Sequence, residues 1–240
     1  MSISAVREWL DTPLGGYAME WEQARYDQAV VDIFGFNAVQ IGLPEFDLLR
    51  ANRMPLQLRC AATAADVQLA LDETQLPFAA QSIDLVVLPH VLEFSADPHE
   101  VLREVERVLV PEGHVVLSGF NPYSLWGLRR LWRRQGAQFP WNGAYLSVPR
   151  LKDWLKLLGF ETHAGWFGCY APPVRTEKWL LRCAAMDAAG DRWWPIAGGI
   201  YVLQAIKRTR SMRLVTPRWK DRLAAAKALA APVEPRANKH

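Results

Sequence analysis

Residues 83–120 read IDLVVLPHVLEFSADPHEVLREVERVLVPEGHVVLSGF, and the succession of patterns within them decides the fold. Ile83 to Leu88 is almost continuously apolar, as a strand buried on both faces of a parallel sheet requires. Asp97 is placed to cap a helix, Pro98 suits its first position, and Glu100 falls where a capping-box acid reaches back. Behind that start, Val101, Leu102, Val105, Val108 and Leu109 form one apolar stripe, and Glu104, Glu106 and Arg107 lie off it. Pro111 to Gly113 stop the helix, and HVVLSGF (114–120) follows as a second strand. The unit is strand, helix, parallel strand, whose crossover is right-handed in nearly all proteins.

Working outward toward the N-terminus, NAVQIG (37–42), LQLRCA (56–61) and VQLAL (67–71) are further strand candidates. Residues 1–30 read as lead-in helices. Val6, Trp9 and Leu10 make one apolar set, and Tyr17, Trp21 and Ala24 make another after Pro13 and a break at Gly15–Gly16. Toward the C-terminus, residues 121–150 predict a helix and an irregular, Trp-rich insertion. A helix then runs from about Pro149 with Leu151, Trp154, Leu155 and Leu158 on one face and Gly159 as its stop. FETHAGWF, a helix near 177–186 and IYVLQAIK complete an α/β sheet. The expected organisation is lead-in helices over 1–35, an α/β domain over 36–208, and a basic, loosely structured tail over 209–240.

Composition agrees with a globular chain. Of 240 residues half are hydrophobic and 22% are charged, which excludes a disordered or collagenous protein. The net charge of +3 is uneven: residues 206–240 hold ten of the 28 Lys and Arg and two of the 25 acids, so the remainder is net acidic. Three cysteines without a CxxC pair argue against a disulfide framework or a thiolate zinc site and for the reducing cytoplasm. No signal peptide is visible, and the longest apolar stretch, ending before Lys207, is shorter than the roughly 18–20 residues of a membrane span.

Several separate pieces between 72 and 113, in order and at family spacing, carry a resemblance. They are Asp72, Leu76–Pro77–Phe78, Ile83–Asp84–Leu85–Val86, Val91–Leu92–Glu93, Asp97–Pro98 and Arg107 to Gly113 in RVLVPEG. Together they resemble the class I S-adenosylmethionine-dependent methyltransferases of the type 11 group, and FNPYSLWGLRRLW resembles an uncharacterised proteobacterial branch of it. The resemblance covers about two thirds of the chain, from Phe36 to Lys207. It implies a doubly wound, mostly parallel seven-stranded sheet with helices on both faces, and S-adenosylmethionine as cofactor beyond the carboxyl ends of the strands. Carried over, Gly42 is the first glycine of the cofactor turn and Asp72 the adenine-side acid, with Leu76 beside it. Pro89 and His90 end the fourth strand near the methyl group. Glu93, Asn121 and Trp126 fall on the acceptor side.

The chain also departs from the family. Gly42 is followed by LPEF in place of a second and third glycine. The second strand ends in Cys60, Ala61 and Ala62 with no carboxylate for a ribose, leaving Glu45 and Asp47 as substitutes, and Phe94 stands where histidine is usual. Two readings therefore compete: a methyltransferase, and a methyltransferase fold that has lost cofactor binding and serves as a binding or regulatory partner.

Individual residues carry paired readings as well. His90 suits a general base or a histidine packed at a strand end, and Glu93 is equally double. Asn121–Pro122 is not the NPPY motif of amino methyltransferases, which follows strand 4. The five histidines show neither HExxH nor paired spacing, so no metal site is expected, and no serine lies in a GxSxG turn. The tryptophans of the later half, with Trp126, Trp193 and Trp194 among them, read as a cap over an apolar acceptor or as core packing. LWGLRRLWRRQ, with Arg129, Arg130, Arg133 and Arg134, reads as an anionic-membrane or phosphate contact or as a solvated basic helix. The tail suggests nonspecific nucleic-acid contact. A small molecule is the first choice of acceptor.

Overall fold

A computed structural model of the chain describes residues 3–61, 68–132, 139–173 and 177–209. The elements in chain order are α1 (Ile3–Leu10), α2 (Pro13–Val30), β1 (Asn37–Ile41), β2 (Leu56–Ala61), β3 (Leu69–Ala70), β4 (Ile83–Pro89), α3 (Pro98–Val108), β5 (Leu109–Phe120), α4 (Leu125–Trp132), α5 (Val148–Leu157), β6 (Phe160–Gly168), α6 (Glu177–Trp193) and β7 (Ile200–Lys207). The seven strands form one sheet in the order β3-β2-β1-β4-β5-β7-β6. All neighbours are parallel except β7, which runs antiparallel to both β5 and β6. The direction in which successive strands are added reverses between β1 and β4, which run parallel, and this makes their carboxyl ends the switch point where open α/β sheets bind ligands.

The central strand-helix-strand unit forms as its sequence dictates. Leu85 and Val87 of β4 point into one core, shared with α2, and Val86 and Leu88 into the other, shared with α3 and α5. Asp97 caps α3 by accepting from His99 N at 3.0 Å and Glu100 N at 3.1 Å. The Glu100 carboxylate is drawn to Arg103 at 2.6 Å, so only half of the expected capping box is made. The stripe Val101, Leu102, Val105 and Val108 is buried. In the β4–β5 ladder the register slips, pairing Ile83 with Leu109 and then Leu85 with His114, and Glu112 takes φ +62° in the bulge between. α3 ends at Val108, so Leu109 and Pro111–Gly113 belong to β5 and not to the helix and its stop.

Four expectations are corrected. Gly15–Gly16 is not a break: α2 starts at Pro13 behind the Thr12 cap, whose hydroxyl accepts from Gly15 N at 3.1 Å. Gly15 is needed because a Cβ there would stand 2.2 Å from Trp9 O in the tight α1–α2 corner. The buried face of α2 is Leu14, Ala18, Met19, Glu22, Tyr26, Ala29 and Val30; Ala24 is exposed, and Tyr17 and Trp21 are half-buried. β3 is two residues long, an edge strand paired only with Cys60 and Ala61. α6 also runs further than expected, to Trp193. Residues 1–209 form one compact unit. The basic tail lies outside the described residues apart from its start, and so do residues 133–138 and 62–67. Among the described residues no helix is long and apolar enough to cross a membrane.

Candidate functional site at the carboxyl edge of the sheet

At the switch point β1 ends in Gly42 at φ +94°, and Leu43 follows at φ +43°. Gly42 N donates to Cys60 O at 2.8 Å, and a Cβ at Gly42 would lie 2.9 Å from Val91 Cγ2 and 3.3 Å from Pro89 O. Glycine is thus required both by the left-handed backbone and by the close approach of the β4 end. The turn beyond it is organised by one buried side chain. Gln40 Nε2 lies 2.9–3.1 Å from the carbonyls of Gly42, Leu43 and Phe46, and Gln40 Oε1 accepts from Leu48 N at 3.0 Å. Leu43, Leu48 and Leu49 fill the α2-side core beneath.

Asp72 stands exposed in the loop after β3. Its carboxylate accepts from Thr74 N at 2.8 Å and Thr74 Oγ1 at 2.6 Å, which holds its pKa below the ordinary value. Leu71 and Leu76 on either side are buried in the same core as Ile41, Cys60 and Val91. α3 clamps the loop: Leu76 N donates to Glu104 Oε2 at 2.9 Å, and Arg107, itself paired with Glu104, donates to Leu76 O and Phe78 O at 2.9 Å each. Gly42, Leu76 and Pro89 are therefore packed parts of the carboxyl edge, and Asp72 and, in the turn after β1, Asp47 are carboxylates that this edge offers to solvent, Asp47 Oδ1 accepting from Leu49 N at 3.2 Å.

Deeper, at the ends of β4 and β5, lies a sealed polar cluster. His90 leaves β4 at φ +54°, its N–H donating to Ser118 O at 3.2 Å. Its Nε2 is 2.6 Å from Glu22 Oε1 and its Nδ1 2.8 Å from Glu93 Oε2. Ser118 Oγ donates to the other Glu22 oxygen at 2.9 Å, and Phe120 N donates to Glu93 Oε1. Exposure of Glu22, His90 and Glu93 is 0%, 2% and 3%. Burial alone would lower the His90 pKa, but the Glu22 and Glu93 carboxylates more than offset it and raise the ring to about 10. Burial raises Glu93, partly countered by His90. The Tyr26 hydroxyl, also buried here, makes no well-formed hydrogen bond.

This geometry speaks against a general-base role for His90: both ring nitrogens lie within hydrogen-bond distance of buried glutamates, and the ring is closed to solvent, so neither nitrogen faces an opening. Glu93 is equally committed, to His90 and to Phe120 N. Asn121 is buried, its amide donating to Ile196 O at 2.8 Å and Gly198 O at 2.9 Å. Trp126 is fully buried with its indole N–H on Ala171 O at 3.0 Å. Both tie the end of β5 to neighbouring loops rather than face an opening. Two members of the edge were missed, Glu22 and Gln40. Glu22 had a signal, since it falls four residues from both Ala18 and Tyr26, in the middle of the apolar stripe of α2.

The aromatic residues divide. Trp126 and Trp141 join Trp9, Phe120 and Phe139 in the core, which favours packing over a cap for those two, whereas Trp193 and Trp194 are 69% and 66% exposed. Arg129 lies 5.2 Å from the Trp141 ring centre and donates to Pro173 O, and Arg130 lies 5.0 Å from that of Tyr145. These two arginines, both half-buried, lie over aromatic rings. Arg133 and Arg134 lie outside the described residues. No group of His, Cys, Asp and Glu able to hold a metal is found among the described residues.

Comparison with known proteins places this geometry. A family model described as a methyltransferase domain matches residues 26–117. The uncharacterized protein YafS of Escherichia coli K12 is 35% identical over 161 residues, which cover 66% of this chain and 67% of that one. A malonyl-[acyl-carrier protein] O-methyltransferase of Halorhodospira halophila is 32% identical over 133 residues, 55% of this chain and 41% of its own length, so the match spans less than half of that relative. Among solved structures, a chain from the Haloferax volcanii complex of the Trm112 methyltransferase activator with a putative methyltransferase superposes with a TM-score of 0.59 at 16% identity, covering 87% of this chain and 100% of that one.

Proposed function

The chain belongs to the methyltransferase-domain family of the type 11 group, and from that premise we propose that it transfers a methyl group from S-adenosylmethionine to a small-molecule acceptor. The observation that supports this most is the exposed Asp72 carboxylate, held by Thr74 in a loop that α3 clamps at Leu76 and Phe78, at the same sheet edge as the left-handed Gly42 turn. These residues suit an adenosine-bearing ligand: a fixed acceptor for an amino group, flanked by the apolar Leu71 and Leu76. The cofactor, when bound, supplies a methyl group on a positively charged sulfur, ready for direct displacement. The protein's part in such a reaction is placement and exclusion of water. Asp72 and Leu76 would hold the adenine end, and Gly42 and Pro89 bring two strand ends together beside it. The buried His90 ring bridges Glu22 and Glu93 and so fixes α2 across the ends of β4 and β5, a positioning role without proton transfer. Free cysteines, with Cys60 and Cys169 buried, suit a reducing cytoplasm.

One observation favours the second reading, a fold that binds a partner without cofactor. The turn after β1 has Leu43 buried beneath it and its carbonyls engaged by Gln40, where the family pattern has open glycine backbone. Calorimetric titration with S-adenosylmethionine and its demethylated product, on wild type and Asp72→Ala, separates the two. Micromolar binding weakened at least tenfold in the variant, about 1.4 kcal/mol, is the expected result. Absence of binding by the wild-type protein would favour the partner reading.

A further inference from the structure

On the opposite face of the sheet from the Leu71 and Leu76 core, a groove of about 380 Å3 opens between α2, the end of β6 and the last turns of α6. Its volume is at the small end of the range for ligand pockets, roughly 300–1,000 Å3. The walls include Trp21 and Arg25 of α2, Trp166 of β6, Tyr170, and Asp187 and Asp191 of α6.

Two glycines seat the aromatic walls. A Cβ at Gly168 would be 2.0 Å from the Trp21 ring, and one at Gly190 would be 2.3 Å from the Tyr170 ring. Asp187 is fully used, accepting from Tyr17 OH at 2.5 Å and 2.6 Å and from Tyr170 N at 2.9 Å. Tyr170 OH in turn donates to Pro195 O at 2.9 Å, so the ring is fixed at both ends.

Two charged groups in the groove have capacity left over. Asp191 has no hydrogen bond or ion pair among the described residues, yet its charge is felt in the groove. Tyr170 is pushed up to about 12, by burial first and then by Asp191 and Asp187. Arg25 Nε is shielded from solvent and has no hydrogen-bond partner; the guanidinium lies 5.8 Å from the Trp21 ring centre and donates from Nη1 to Gln28 at 2.9 Å. A shielded charged donor without an acceptor is costly unless something fills the position.

We infer that this groove is a second ligand site, taking a small zwitterion with an apolar or aromatic body, its ammonium group held by Asp191 against the aromatic wall and its carboxylate by Arg25. The complementarity is of kind as well as charge. Trp and Tyr rings attract an ammonium group, a guanidinium matches a carboxylate, and the rings between them cover an apolar body. The assignment is independent of methyl transfer, because it uses residues of the other sheet face and none of the Asp72 edge.

Titration of the full chain with L-phenylalanine, phenethylamine and phenylpropionate tests it. Phenylalanine should bind with a Kd below about 1 mM and more tightly than either single-charge analogue. Asp191→Asn should weaken phenylalanine and phenethylamine at least tenfold and leave phenylpropionate unchanged. Arg25→Gln should weaken phenylalanine and phenylpropionate and spare phenethylamine. Asp153→Asn, an exposed acid on α5, should change nothing. Absence of binding by all three probes, or phenylalanine binding indifferent to either groove substitution, would overturn the assignment.

Discussion

His90 sits between two carboxylates, out of water, at a left-handed φ that a non-glycine residue adopts at a cost of about 1–3 kcal/mol. It stays there because Glu22, Glu93 and Ser118 O fix its ring and its backbone together. Removing one member leaves the others uncompensated, so Glu22→Ala should lower unfolding free energy by about 3–5 kcal/mol, read from urea denaturation. Glu22→Gln keeps an acceptor for His90 and should cost clearly less. Stability should also depend on pH in a defined direction. Because the folded-state pKa of His90 is raised from 6.5 to about 10, its contribution is complete below pH 6.5 and is lost as pH rises toward 10. Glu93, raised above 4.5, acts in the same direction from its own lower starting point. Tyr26 and Tyr201, pushed well above 10 by burial, stay neutral in that window. His90→Gln should flatten the decline, and a wild-type stability that rises between pH 6.5 and 10 would contradict the charge assignment. At this scale the sequence was only partly legible. His90 and Glu93 stood out in the motif, but their partner is 68 residues away in chain order, and only a charged residue inside an apolar stripe hinted at it.

α3 and α2 show what a single element can and cannot reveal. The start of α3 was readable because the Asp97 cap, the Pro98 first position and the apolar stripe are local, and the structure repeats them. Asp97→Ala should remove two hydrogen bonds to backbone N–H groups and cost about 1 kcal/mol, read as a shift in the urea midpoint. α2 was misread where tertiary packing overrides local signals. Gly15 and Gly16 look like a break, but Gly15 is inside the first turn because α1 packs too closely for a side chain. Gly15→Ala should therefore destabilise the protein despite alanine's better helix propensity; a more stable variant in the same assay would show that the corner is looser than described. β3 was overestimated: VQLAL has strand character, but regular ladder pairing is confined to Leu69 and Ala70 opposite Cys60 and Ala61, with Gln68 N and Leu71 N adding single bonds to Arg59 O and Ala61 O.

Across the whole molecule, the doubly wound, mostly parallel seven-stranded sheet was legible from one strand-helix-strand unit and a set of spaced motif pieces, because parallel sheets of this kind admit few connections; the order β3-β2-β1-β4-β5-β7-β6 is read from the structure. The antiparallel β7 follows from a helix-containing return that brings β6 and β7 side by side. The carboxyl edge proposed for the cofactor was legible to the extent that its residues are local: Gly42 directly follows β1 and Asp72 comes two residues after β3. The Gln40 scaffold was not, since a glutamine inside a buried strand carries no signal of what its amide reaches. The account rests on this edge being the site for S-adenosylmethionine, and amide hydrogen exchange with and without the demethylated cofactor tests that most directly. Slowed exchange confined to the turn at 42–49 and the loop at 71–78, with the α2–α6 groove unchanged, is predicted. Slowed exchange elsewhere, or none at saturating ligand, would contradict it.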